Sequence, residues 1–217
     1  MMASKKAVCV LSGGMDSTTL LYELIAQGFE THAVSFDYGQ RHKKELEYAA
    51  RTCRKLAIPH RIVDISGIQE LIGCSALTSD AIEVPEGHYE AEAMKATVVP
   101  NRNMIMFAIA GGWAVSLEAD IIGVAVHAGD HAIYPDCREE FIEPFAQALK
   151  QGNYHQVSVY APYLHKTKGE IARIGLDLGI DFDADTWSCY KGEAEPCHRC
   201  GTCIERDEAL RAAETMG

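Results

Sequence analysis

The 217-residue sequence predicts an α/β domain built on a doubly wound parallel sheet. Short, continuously apolar segments alternate with segments whose apolar residues recur every three or four positions. This is the pattern of buried parallel strands and of the helices that cover them. The composition agrees, because 47% hydrophobic and 24% charged residues are ordinary for a globular protein. The length fits one large domain, or one domain with a small appendage.

The first half of the chain shows the alternation most clearly. Its predicted elements are, in order, the strand Lys6–Leu11, the helix Asp16–Gln27, the strand Thr31–Phe36, the helix Lys43–Leu56 and the strand His60–Ile65. Strands and helices in this order form right-handed crossovers in a parallel sheet. Ligands of such sheets bind at the carboxyl ends of the strands, near the switch in strand order.

The second half repeats the pattern after an irregular stretch, Ser66–Pro100, which we expect to pass over the active face. Its predicted elements are a helix from Asn103, the strand Asp120–His127, a helix around Glu139–Lys150, the strand Val157–Pro162 and the helix Thr167–Leu178.

Charge and hydropathy exclude some classes of protein. A net charge of −11 argues against a broad phosphate-binding surface, so we expect no nucleic-acid partner. The longest nearly apolar run, Met104–Leu117, is shorter than the roughly 20 residues that span a bilayer. We therefore expect a cytoplasmic protein without membrane attachment, whose cysteines stay reduced.

The segment SGGMDSTT (Ser12–Thr19) follows the first predicted strand and opens the first helix. Its two glycines allow a sharp turn and a close approach to a ligand. Unpaired amides at the helix start, with the hydroxyls of Ser12, Ser17 and Thr18, predict an anion site, and phosphate is the expected anion. A plain strand-to-helix turn with Asp16 as helix cap is the alternative. The segment matches neither the Walker loop nor the GxGxxG dinucleotide pattern.

This loop resembles the SGGxDS loop of the PP-loop ATP pyrophosphatases. The resemblance implies that ATP is split into AMP and pyrophosphate to activate a substrate as its adenylate. Because Asp16 would repel pyrophosphate, we expect Mg²⁺ to bind with ATP. Lys168 has the place of a late-helix lysine of this superfamily and would neutralise phosphate charge; a solvated helix lysine is the alternative. The residues implied for ATP are Val10, Leu11, Ser12, Gly13, Gly14, Met15, Asp16, Ser17, Thr18, Thr19 and Lys168.

Four of the eight cysteines crowd one end of the chain, Cys189, Cys197, Cys200 and Cys203. Two overlapping CxxC units and a fourth cysteine upstream suffice for a closed tetrahedral zinc site, with one ion per chain. Four thiolates leave no position for water, so this zinc would be structural. An iron–sulfur cluster, redox-active thiols, or His198 as a competing ligand are the alternatives. We predict a zinc-binding segment over residues 187–217, packed on an ATP-pyrophosphatase domain over residues 1–186.

Five segments along nearly the full chain form a recognisable set. They are SGGMDSTT (Ser12–Thr19), FDYGQRH (Phe36–His42), VPNRN (Val99–Asn103), YPDCREEF (Tyr134–Phe141) and the tail Cys189–Cys203. Together these segments resemble the QueC family of the queuosine pathway, the 7-cyano-7-deazaguanine synthases. The resemblance implies a Rossmann-like PP-loop (HUP) domain. One departure is HAGDHAI (His127–Ile133), where some members have an acidic residue and a Ser-Gly pair.

The resemblance implies a ligase that forms carbon–nitrogen bonds. ATP would adenylate 7-carboxy-7-deazaguanine, and ammonia would displace AMP to give an amide. A second adenylation, followed by loss of AMP, would give the nitrile, 7-cyano-7-deazaguanine. A homodimer is also implied. The same loop fits a relative that passes the deazaguanine acyl group to another acceptor, or a tRNA-thiolating PP-loop enzyme. A non-enzymatic zinc-binding module would leave the loop unexplained.

Four polar residues are candidates for binding the substrate. Arg102 and Asn103 open the third predicted helix and suit a carboxylate or a phosphate. A helix cap with a surface arginine is their alternative. Asp136 and Arg138 would read the guanine-like edge of the base, or would belong to a turn that Pro135 favours.

Overall fold

A computed structural model describes residues 5–72, 75–79, 81–87 and 92–216. The strands of this part of the chain are β1 (Lys6–Val10), β2 (Glu30–Asp37), β3 (His60–Asp64), β4 (Ile121–Gly123) and β5 (Ser158–Tyr160). They are parallel and form one five-stranded sheet in the order β3-β2-β1-β4-β5. The strand order reverses at β1, which confirms the predicted doubly wound sheet.

Helices cover both faces of the sheet. The α-helices of the described residues are α1 (Met15–Ala26), α2 (Lys44–Lys55), α3 (Gln69–Ile72), α4 (Arg102–Ser116), α5 (Glu139–Gln151), α6 (Lys168–Asp177), α7 (Phe182–Asp185) and α8 (Gly201–Thr215). In β1, Ala7 and Cys9 pack with α1, α2 and α6, whereas Val8 packs with α4 and α5. All three side chains are fully buried, so the middle strand lies between two apolar layers.

The predicted strand Asp120–His127 is too long, because β4 ends at Gly123. Its neighbour β5 has only three residues, and beyond Gly123 the chain has no further strand register with it. Ala125 and Val126 instead line the cavity described below, and His127 caps a short 3₁₀ helix through its side chain. The apolar residues that predicted a longer strand therefore line a cavity instead of extending the sheet.

The C-terminal helix α8 packs closely against α6. A Cβ on Gly169 would lie 3.0 Å from that of Ala212, so small residues let the two helices approach. Met15, at the start of α1, belongs to the same buried cluster as Ala209 and Ala213 of α8. The segment that follows the cysteines thus contacts both α6 and the start of α1.

The excursion predicted over Ser66–Pro100 lies only partly within the described residues. Its described part contains the 3₁₀ helices Ser66–Ile68 and Glu92–Thr97 and the short helix α3. Leu77 of this stretch lines the cavity, in agreement with a path over the active face. In the described part of the chain, no helix has both the length and the apolar character of a membrane span.

Candidate active site

The loop between β1 and α1 is held by its own side chains. Gly13 has a φ of 97°, and a Cβ there would overlap the backbone carbonyl of Glu45, so only glycine fits. The Ser17 hydroxyl accepts a hydrogen bond from the Ser12 N–H at 3.1 Å. The Ser12 hydroxyl accepts one from the Gly14 N–H at 3.2 Å. These contacts fix the loop at the carboxyl end of β1, directly before the N-terminus of α1.

A cavity of about 230 Å³ adjoins this loop. Thr18 and Thr19 do not line it: both are fully buried in α1, and the Thr19 hydroxyl donates to a backbone carbonyl one turn earlier at 2.9 Å. Gly13 contributes its backbone conformation. The loop residues that line the cavity are Val10, Leu11, Ser12, Gly14, Met15, Asp16 and Ser17. Together with Lys168 they form what we call the phosphate wall.

Lys168, the first residue of α6, points back at the phosphate loop. Its ammonium lies 3.3 Å from Asp16 Oδ2 and 2.6 Å from Glu205 Oε2. The side chain is 14% exposed, so the alternative of a solvated helix lysine is wrong. Thr167 caps α6 with its hydroxyl. Asp16 does not cap α1, because Gly14 is the N-cap residue and Asp16 lies in the first helical turn.

The second part of the cavity surface, the aromatic wall, consists of Tyr38, Tyr134 and Tyr190 around Arg102. The guanidinium carbon of Arg102 lies 5.8 Å from the ring centroid of Tyr38 and 5.6 Å from that of Tyr134. Cation–π attraction and the fixed rings hold the guanidinium in the cavity. Arg102 is therefore not a surface arginine, and the cavity brings it together with the phosphate wall.

Asn103 and Asp136 hold each other at the start of α4. The Asn103 N–H donates to Asp136 Oδ2 at 3.0 Å, and its side-chain amide donates to Cys137 Sγ at 3.2 Å. Asn103 and Cys137 line the cavity. Asp136 and Arg138 instead line a separate depression, and Arg138 Nε donates to the carbonyl of His131 at 2.7 Å. The structure thus brings Asn103 to the cavity, but not the two residues predicted to read the base.

Glu45 of α2 lines the cavity and was not among the predicted site residues. Burial raises the pKa of its carboxyl to about 7, although the nearby Arg102 and Lys168 lower it. One signal could have revealed it: Glu45 lies one turn before the buried Ala49, on the apolar face of an amphipathic helix. A charged residue at such a position indicates a function or a buried partner.

Tyr134 and Tyr190 were also not predicted as site residues. Tyr190 directly follows Cys189, so its position depends on how residues 187–216, which we call the cysteine segment, fold over the cavity. Ser188 and Thr202 of the same segment line the cavity as well. No local pattern relates these residues to β1, and their contribution follows only from the folded chain.

The four cysteines converge. Their sulfur atoms all lie within 4.8 Å of one another. The backbone N–H groups of Cys197 and Cys200 donate to cysteine sulfurs at 3.4 Å and 3.3 Å, contacts that suit thiolates. His198 is exposed and lies 3.0 Å from Asp207, so it does not compete for this site. The donor set fits one tetrahedral metal ion with four sulfur ligands.

Comparison with known proteins gives a consistent result. The family model of "Queuosine biosynthesis protein QueC" matches residues 6–214. The chain belongs to the QueC family. A 7-cyano-7-deazaguanine synthase of Hahella chejuensis is 56% identical over 205 residues, which are 94% of this chain and 88% of that one. One of Caldicellulosiruptor saccharolyticus is 54% identical over 206 residues, 95% of this chain and 91% of that one.

Solved structures with a similar fold are much more distant in sequence. The U34-tRNA thiolase NcsA from Methanococcus maripaludis matches with a TM-score of 0.53 at 14% identity, covering 98% of this chain and 72% of that one. NMN synthetase from Francisella tularensis matches with a TM-score of 0.53 at 14% identity, covering 98% and 77%. These matches concern the fold alone. They agree with the PP-loop domain that QueC membership implies, so the predicted family and fold class are confirmed.

Proposed function

We propose that this QueC-family chain is a 7-cyano-7-deazaguanine synthase, which uses ATP and ammonia to convert 7-carboxy-7-deazaguanine into the nitrile. The observation that best supports this is the cavity shared by the phosphate wall and the aromatic wall. Asp16 and Lys168 border the same space as Arg102 and Tyr134, so a nucleotide phosphate and a planar carboxylate could meet there. Bringing the two reactants together is the main contribution that adenylation needs from a protein.

The first half-reaction activates the acid. A carboxylate oxygen attacks the α-phosphorus of ATP, the bond to pyrophosphate breaks, and an acyl adenylate forms. Ammonia then attacks the carbonyl carbon, AMP leaves with the bonding electron pair, and one proton is lost to give the amide. In this proposal, loop amides at the N-terminus of α1 bind pyrophosphate, and Lys168 offsets its growing negative charge. Mg²⁺ bound with ATP would offset the repulsion between Asp16 and the phosphates.

The second half-reaction repeats this chemistry on the amide. The amide oxygen attacks a second ATP at the α-phosphorus and releases pyrophosphate. Loss of two protons from nitrogen and of AMP from carbon leaves the carbon–nitrogen triple bond. Arg102 pairs with the substrate carboxylate in the first step, and the rings of Tyr38 and Tyr134 border the base. Asn103 supports this surface from the start of α4.

The cysteine site is assigned to Zn²⁺. Cys189, Cys197, Cys200 and Cys203 would hold one ion with no open position, so the metal would fasten residues 187–217 to the domain formed by residues 1–186. The proposal includes a homodimer, and Met104 of α4, 37% exposed, is a candidate interface residue. We place the enzyme in the cytoplasm, where free thiols stay reduced.

The test is mass spectrometry of the purified protein with 7-carboxy-7-deazaguanine, Mg-ATP and ammonium chloride, with the nucleotides followed in parallel. We expect the nitrile and two AMP per turnover, and at least a 100-fold lower rate in Lys168→Ala. A product that stops at the amide, or that forms only with a macromolecular acceptor, would favour the acyl-transfer alternative. ADP in place of AMP would overturn the pyrophosphatase chemistry.

A further inference from the structure

A carboxylate from the C-terminal helix α8 contacts the phosphate wall. Glu205 lies on α8, two residues after Cys203, and its Oε2 lies 2.6 Å from the Lys168 ammonium. Both side chains are largely buried, with 14% of Lys168 and 15% of Glu205 exposed. Solvent screens the attraction between such groups only weakly, so this ion pair is stronger than one at the surface.

Glu205 is itself held from two sides. Cys200 is the N-cap residue of α8 and Cys203 lies in its first turn, so the cysteine cluster fixes the start of the helix. The neighbouring Arg206, which is 8% exposed, donates to the Thr186 hydroxyl at 2.8 Å and to the Phe182 carbonyl at 2.9 Å. The turn that carries Glu205 therefore has little freedom to move relative to α6.

His127–Ile133, the stretch that departs from some QueC members, lies beside Asp16 and Glu205. His127 is 1% exposed, and its Nε2 lies 3.4 Å from Asp130 Oδ2 and 3.7 Å from Asp16 Oδ2. A Cβ on Gly129 would approach Glu205 Oε1 to 3.2 Å. Oε1 of Glu205 thus packs on this turn, while Oε2 contacts Lys168.

We propose that Glu205 is a positioning residue for Lys168, through which the cysteine segment orients the ammonium at the phosphate loop. Lysine has a long flexible side chain, and an anchor on the side away from the ligand restricts it to orientations beside Asp16. The ammonium is then ready where charge develops when pyrophosphate leaves. The expected change in kcat rests on the proposed function, whereas the orientation of Lys168 by Glu205 does not.

Two effects oppose each other when Glu205 loses its charge. Removing a carboxylate near the nucleotide reduces repulsion of the phosphates, which favours ATP binding. Without Glu205, the Lys168 ammonium is no longer held beside the phosphates, so it stabilises the charge of the transition state less well. For Glu205→Gln we therefore expect a kcat for AMP formation lower by about 10-fold, with a KM for ATP that is unchanged or lower. A purely structural role would instead raise KM or lower the melting temperature.

The decisive kinetic experiment is a double-mutant cycle with Lys168→Ala. If Glu205 acts through Lys168, Glu205→Gln lowers kcat in the wild-type background and causes no further loss in the Lys168→Ala background. Glu214→Gln is the matched control, because it makes the same charge change at an exposed position of α8. Zinc content should stay at the wild-type level in every variant. A full 10-fold loss in the Lys168→Ala background would overturn the proposal.

A second readout does not depend on the reaction. An ammonium that is buried and hydrogen-bonded exchanges its protons slowly, so Lys168 should give a distinct side-chain signal in a ¹H–¹⁵N NMR spectrum of the full chain. Lys168→Arg identifies the signal by its disappearance. We expect Glu205→Gln to broaden or remove it and Glu214→Gln to leave it in place. A signal that survives Glu205→Gln unchanged would refute the positioning role, whatever the substrate proves to be.

Discussion

The two walls of the cavity are built in different ways. The phosphate wall consists mostly of one contiguous loop, whose glycines and serines fix its conformation through hydrogen bonds within the loop. The aromatic wall is assembled from distant parts of the chain: Tyr38 follows β2, Arg102 opens α4, and Tyr134 and Tyr190 come from separate loops. A local wall suits a cosubstrate common to many enzymes, whereas an assembled wall can be specific to one substrate.

This difference makes the phosphate wall the more sensitive to a single backbone change. Gly13→Ala would place a Cβ against the Glu45 carbonyl while φ is 97°. We expect loss of at least about 3 kcal/mol of stability and a rate of AMP formation at least 100-fold lower, because loop and α2 must separate. Urea unfolding and AMP assays measure both quantities.

Gly28→Ala is the matched control for that variant. Gly28 has a φ of 82°, but nothing lies within 4 Å of the Cβ that alanine would add. It should cost about 1 kcal/mol and leave the rate of AMP formation unchanged. Equal effects of the two variants would mean that backbone strain, rather than the contact between the loop and α2, decides the result.

The cysteine segment touches both walls, since Tyr190 belongs to the aromatic wall and Glu205 contacts Lys168 of the phosphate wall. Cys200→Ser should therefore release the metal, lower the melting temperature by about 10 °C, and impair use of both ATP and the deazaguanine. Metal analysis and thermal unfolding test this. His198→Ala should retain the metal, since His198 pairs with Asp207 at the surface. Normal metal content in Cys200→Ser would contradict the four-sulfur site.

The aromatic wall should affect one substrate more than the other. For Arg102→Met we expect KM for 7-carboxy-7-deazaguanine to rise by about 10-fold to 100-fold, with a smaller change in KM for ATP. Arg138→Met tests the residue that the sequence also suggested: its guanidinium bonds the His131 carbonyl outside the cavity, so we expect less than about a 2-fold change. Steady-state kinetics with each substrate varied in turn will decide. A larger effect at Arg138 would indicate that the base binds in the separate depression that Arg138 lines.

The same contrast explains which residues could be predicted. The phosphate loop and the cysteine spacing are contiguous signals, and Ser12, Asp16 and the four cysteines follow from them directly. Strand lengths were less predictable, since the apolar residues after Gly123 line a cavity instead of extending β4. Asp136 and Arg138 are polar residues in a motif, but the sequence does not indicate on which side of α4 a turn will present them. Glu45 was missed because an acidic residue in a helix usually faces solvent.

Glu45 lies where the loop, Arg102 and Lys168 meet, and its titration gives the smallest predicted effect. Its pKa in the folded protein, about 7, exceeds the ordinary value of 4.5. Between these values the folded state binds more protons than the unfolded state, so this residue makes stability fall as the pH rises from 4.5 to 7. Above pH 7 the carboxyl is ionised in both the folded and the unfolded state, and the free energy of unfolding stays lowered by the full cost of burying its charge.

Glu45→Gln removes that charge while keeping the side-chain shape. We expect the variant to be more stable than the wild type by roughly 1–3 kcal/mol at pH 8, with the difference vanishing near pH 4.5. Urea unfolding at both pH values measures this, and Glu47→Gln is the control, since Glu47 is exposed on the same helix. A stabilisation that is equal at both pH values would exclude a titrating carboxyl. It would indicate that the gain comes from packing or hydrogen bonding at the junction of the two walls.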